Sequence, residues 1–127
     1  MSTESQQFSL DIIDDYIYMK TWGVLDPNNV EAPANAALEL AKKKHIKKLL
    51  DDISEVDSKG ATIAVQTKGV GVLWKLRAFD KVAIVLSESP LRTLFFSTLN
   101  TLHLDHGLKF KGFDNKGEAV TWLRSEE

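Results

Sequence analysis

The run Val82-Ala83-Ile84-Val85-Leu86 constrains the fold of this chain more than any other stretch. Five consecutive apolar residues leave no polar side for solvent. A strand of that kind is covered on both faces, and sheets covered on both faces are built from parallel strands joined by helical crossovers. The run is far too short to cross a bilayer, which takes about twenty apolar residues. It reads as the central strand of an α/β sheet.

The other segments fit around it. Phe8–Ile13 and Tyr16–Trp22 read as two strands joined at Asp14-Asp15, a connection short enough to demand an antiparallel hairpin. Pro33 suits the first turn of a helix, and Ala34, Ala37, Leu38 and Ala41 share one face. Their small size allows close approach to a sheet. Lys42, Lys43 and Lys44 close that helix, where cations complement its dipole. Ile46, Leu49, Leu50 and Ile53 mark the next strand. From Ala61 to Phe79 the periodicity weakens. Gly69 and Gly71 each cost roughly 1 kcal/mol inside a helix, so a bent or interrupted helix is expected, with its break near Thr67–Gly71.

After the central strand, Ser89-Pro90 starts a helix striped by Leu91, Leu94, Phe95, Leu99 and Leu102, and Gly107 stops it. Leu108–Phe113 is a short strand. Asn115 with Glu118 three residues on resembles a capping box for a last helix, with Ala119, Val120 and Leu123 facing inward. The expectation is a single α/β domain over residues 8–127, with residues 1–7 a flexible tail. Its mixed, mostly parallel sheet has about five strands, including the N-terminal antiparallel hairpin, and about four helices.

Composition removes several function classes. With 127 residues, 43% of them hydrophobic, the chain can bury a real core. The net charge of −2 argues against nucleic acid as a partner. The absence of cysteine excludes disulfides and thiolate metal sites. The opening MSTESQQ lacks the basic and apolar regions of a signal peptide, and no apolar run reaches membrane-spanning length. A cytoplasmic protein with no integral membrane segment is expected.

LLDDISEVDSKGATIAV, beginning at Leu49, resembles the segment of STAS domains of the anti-sigma-factor-antagonist type in which a strand leads into Asp-Ser-Ser-Gly and a helix. KFKGFDNKGEAVTWL, Lys109 to Leu123, resembles the close of the sporulation-antagonist-like (SpoIIAA-like) group related to STAS and SEC14 domains. VAIVL preceded by Phe79-Asp80-Lys81 fits that group's central strand. The likeness spans roughly residues 8–124 in element order. It implies a compact α/β domain with a mixed sheet. In STAS antagonists the second Ser of the motif is phosphorylated by a partner kinase, which toggles binding. Here Ser58 matches the first Ser and Lys59 stands at the second, where lysine cannot accept that phosphate. SEC14-like relatives bind apolar or lipid-like ligands.

The residues carry two kinds of candidate site. At Asp57-Ser58-Lys59-Gly60 the plain reading is a helix cap contributing about 1 kcal/mol. The functional reading is an anion-binding or partner-docking corner. Free helix N–H groups, the Ser58 hydroxyl and the Lys59 ammonium would converge there, with Thr62 or Ser58 as phosphorylation candidates. Trp22, Gly69, Gly71, Trp74, Phe96 and Leu104 hint at a second apolar surface, either a pocket mouth or a homodimer face. Lys42, Lys43, Lys44, Lys47 and Lys48 read first as a solvated basic helix end, and otherwise as a surface for an anionic partner. Asp51, Asp52, Glu55 and Asp57 read as a polar strand end rather than a catalytic carboxylate pair. His103, Asp105 and His106 are too few to hold a metal. Gly69-Val70-Gly71 lacks the third glycine of a dinucleotide fingerprint.

No metal, cofactor or catalytic constellation is recognised, so a non-enzymatic module is expected. Its first reading is a STAS/SEC14-like binder of a small apolar or amphiphilic ligand, held between sheet and helices and reached past Gly69–Trp74. The alternative is a regulatory domain that docks a protein partner through the Asp57–Thr62 helix start.

Overall fold

The computed structural model describes residues 7–24, 27–28, 30–57, 63–86 and 110–125. β1 (Gln7–Ile13) and β2 (Tyr16–Val24) form the antiparallel hairpin. It turns at Asp14, whose φ of 51° is tolerated because a short polar side chain suits the left-handed region. Asp14 pairs with Arg124, and Asp15 accepts a hydrogen bond from Lys48 Nζ at 3.0 Å, so both turn carboxylates are tied to the body of the domain.

α1 (Ala32–Lys44) follows with Pro33 in its first turn, and it buries Pro33, Ala34, Ala37 and Ala41. β3 (Lys48–Asp57) runs parallel to β2 and to β4 (Lys81–Val85), and β5 (Phe110–Phe113) runs parallel to β4. The strand order is β1-β2-β3-β4-β5. Asn115 caps α3 (Lys116–Arg124), its side chain accepting from the Glu118 amide at 2.9 Å.

Two apolar layers sandwich the sheet. On one face Ile17, Met19, Leu49, Val82 and Ile84 pack against α1 and against Leu76 of α2 (Ile63–Leu76). On the other, Tyr16, Leu50, Ala83 and Val85 pack against Ala119 and Leu123 of α3. None of Val82–Leu86 is more than 3% exposed, as expected for a doubly covered strand.

Over Gly69–Gly71 the structure corrects the sequence reading. α2 is a continuous helix through both glycines. Their combined cost is about 2 kcal/mol. Burying Leu76 alone offsets roughly that amount, and Val72 and Leu73 add partial burial against the same core. The helix expected from Ser89-Pro90 lies outside the described residues, which contain three helices.

Candidate functional site at the carboxyl edge of the sheet

β3 runs further than its apolar pattern suggests, ending at Asp57 opposite Val24. A bulge lies on the way. Lys20 faces Asp52 and Trp22 faces Glu55, so Thr21 alone stands across from Ile53 and Ser54. Asp52 fixes this extra residue. Its Oδ1 accepts from the Ser54 amide at 3.1 Å and the Ser54 hydroxyl at 2.6 Å, the i to i+2 pattern of an Asx turn. Its Oδ2 accepts from the Tyr18 hydroxyl at 2.9 Å. Beyond the bulge Glu55 meets Lys20 in an ion pair, and Val56 turns into the core.

The acidic run is therefore more than a solvated strand end. Asp51 and Asp52 are each only 7% exposed, on opposite faces of β3. Asp52 is satisfied; Asp51 is not. It shares the face of Leu49, in register between Met19 and Ile84, and its buried Oδ1 has no hydrogen-bond partner among the described residues. Burial, and secondarily the charge of Asp52, push its carboxyl from 3.8 up to about 7. Tyr18 is pushed up to about 12, first by burial and then by its hydrogen bond to Asp52. The sequence held one signal for this arrangement, a Ser two residues after an Asp within a strand.

The structure brackets the predicted corner. Asp57 ends β3 and Ile63 opens α2, while Ser58, Lys59, Gly60 and Thr62 lie outside the described residues, as do Phe96 and Leu104. Gly69, Gly71 and Trp74 are on α2, and Trp22 is half-buried near the end of β2. The outer face of α2 is apolar at three places: Ile63 is 82% exposed, Val70 38% and Trp74 47%. The Arg77 guanidinium carbon sits 4.2 Å from the centre of the Trp74 ring.

Described residues form two clefts. One of ≈380 Å³, lined by Leu38, Ala41, Ile46, Phe79 and neighbours, lies at the amino edge of the sheet. Another of ≈700 Å³ runs along α3 past Glu118, Thr121 and Trp122. Lys42, Lys43, Lys44 and Lys47 are exposed at the amino edge, and Lys48 is engaged by Asp15. Among the described residues no group of three or more His, Cys, Asp or Glu is arranged to hold a metal. No helix there is long and apolar enough to cross a membrane.

No family model matches the sequence, and no curated protein matches it significantly. Solved structures do. An anti-sigma factor antagonist from Mycobacterium paratuberculosis superposes with a TM-score of 0.64 at 16% identity, covering 94% of this chain and 95% of that one. An uncharacterised DUF3478-family protein with a SpoIIAA-like fold, from Shewanella loihica, gives 0.60 at 22% identity over 97% and 98%. SpoIIAA in its unphosphorylated form gives 0.52 at 18% identity over 93% and 96%. With its hairpin-led mixed sheet, the chain has an STAS/SpoIIAA-like fold.

Proposed function

We propose that this protein is a non-enzymatic regulatory domain that docks a protein partner at the Asp57–Thr62 corner and the exposed face of α2. The carrying observation is the outer face of α2. Ile63 at the start of α2 is 82% exposed and Trp74, three turns on, 47%, on a helix whose opposite face already covers the core. Large exposed apolar residues grouped on one face mark an interaction surface more often than chance. Sheet topology supports the same reading. The described strands follow one another in chain order, and among them there is no reversal of the kind that makes the switch-point crevice in which open α/β sheets usually hold small ligands. The likeness to anti-sigma factor antagonists points the same way. Lys59 then supplies a fixed positive charge where the resemblance places a phosphoacceptor, so docking at that position is set by a permanent cation.

The test is site-specific photocrosslinking in the protein's own cells, with p-benzoylphenylalanine at position 59 or, as a control, at Thr121 on the outer face of α3. One protein should crosslink from position 59 and not from 121. Lys59→Glu should lower its affinity about tenfold or more, a loss typical of a docking charge, with the melting temperature unchanged. Equal crosslinking from both positions, or unaltered affinity in Lys59→Glu, would overturn the reading.

A further inference from the structure

We infer that β1 is a self-association edge. A second copy of this chain lays its own β1 antiparallel beside this one, about a two-fold axis at Leu10, and the two sheets become one. The surface is separate from the docking corner, so the inference does not rest on that reading. β1 is an outer strand, paired to β2 on one side and with no further strand beyond it among the described residues. Ile13 and Tyr16 close a two-residue turn, so Ile13 directs its backbone groups to β2. By the alternation of an antiparallel ladder Asp11, Ser9 and Gln7 do the same, and Phe8, Leu10 and Ile12 direct their N–H and C=O groups outward. Outer strands are ordinarily protected by shortness, lysine, proline or a bulge. β5, at the other side of the described sheet, has four residues and carries Lys111. β1 has seven residues, no lysine, no proline and an unbroken register with β2. Its side chains are open as well, Phe8 being 36% and Ile12 44% exposed.

The strand is complementary to itself, and that selects a second copy over a foreign strand. Two-fold pairing about Leu10 sets Leu10 against Leu10 of the copy, Phe8 against Ile12 and Ser9 against Asp11. Every outward N–H and C=O of Phe8, Leu10 and Ile12 then finds a partner across the axis. Phe8, Leu10 and Ile12 stand opposite Thr21, Met19 and Ile17, on the face of the larger apolar layer. The apolar row of one copy therefore continues into the other and covers the exposed parts of Phe8 and Ile12. Asp11 is the only charge in β1, and it meets a serine rather than its own counterpart. The contact is small. One short strand per copy buries less than the roughly 1,200 Å² at the lower end of stable interfaces. The dimer is therefore reversible, with a dissociation constant in about the micromolar range.

Sedimentation velocity of the full chain from about 1 μM to 1 mM should show monomer giving way to dimer. Ile12→Lys puts a cation on the free edge and should raise the dissociation constant about tenfold or more, with the melting temperature kept. Disulfides test the register, because the chain has no cysteine of its own. Ser9 and Asp11 of the copy form a non-hydrogen-bonded pair with Cα atoms about 4.5 Å apart, within bridging range. Ser9 and Ser9 of the copy are offset by two residues, about 8 Å apart and out of that range. A mixture of Ser9→Cys and Asp11→Cys proteins should therefore oxidise to the mixed dimer well ahead of either protein alone. A monomer at every concentration overturns the inference. So does a dimer that a folded Ile12→Lys leaves as tight as before, or either cysteine variant crosslinking alone as fast as the mixture. If Ile12→Lys fails to fold, the disulfide comparison decides by itself.

Discussion

Tyr18 donates its hydroxyl to Asp52 across 2.9 Å, joining β2 to β3 beside the bulge that Asp52 itself holds through Ser54. A neutral donor to a charged acceptor in a half-buried site contributes about 1.5–3 kcal/mol. Tyr18→Phe should therefore destabilise the domain by roughly 1–2 kcal/mol. Asp52→Ala should cost more, about 2–3 kcal/mol, because the Ser54 bonds go as well. Urea unfolding of both single variants and the double variant checks this. A coupling near zero would mean that the pair acts independently.

Asp51 makes stability depend on pH, and the direction follows from its raised carboxyl. The folded protein holds this proton up to about pH 7, whereas the unfolded chain releases it near 3.8. Between those values the unfolded state binds fewer protons, so this group's contribution to stability falls as pH rises and levels off above about 7. The interval corresponds to as much as about 4 kcal/mol. Asp51→Asn should be more stable than wild type at pH 8, and the difference should shrink towards pH 4. Chemical denaturation at both pH values reads it directly.

Gly71→Ala should stabilise the protein by about 1 kcal/mol, because the position is inside a continuous helix and the new methyl has open space. Thermal melting tests it. A hinge at this point would instead be damaged by the substitution, so a loss of stability would revive the interrupted helix.

His45 ends α1 in the left-handed region, with φ 58° and ψ 43°, while the Ile46 amide reaches back to the Ala41 carbonyl at 3.0 Å. That is the closing bond of a Schellman motif, whose preferred residue at the left-handed position is glycine. His45→Gly should raise stability by about 1 kcal/mol, measured by the midpoint of urea unfolding.

Much of this architecture was legible in the sequence because it rests on short-range rules. VAIVL announced a covered strand, Asp14-Asp15 a hairpin, Pro33 a helix start and Asn115 with Glu118 a helix cap, and each is found in place. The misreadings have tertiary causes. Gly69 and Gly71 weaken α2 locally, but packing of Leu76 against the sheet keeps the helix continuous. Asp51 and Asp52 look like surface residues until β2 and β4 close on either side of them. Asp52 is satisfied partly by Ser54 at the bulge and partly by Tyr18, 34 residues away in the chain. The exposed stripe of α2 was glimpsed only through Trp74, since exposure of Ile63 and Val70 depends on which side of the helix the core claims.

The uninterrupted strand order carries a kinetic consequence. Each strand lies beside the one nearest in the chain, so the sheet grows outward from the hairpin one crossover at a time. Among the described strands no late one has to insert between two early ones. Folding is then a succession of modest loop closures, each rewarded before the next begins, at a pace between those of helical bundles and β-sandwiches.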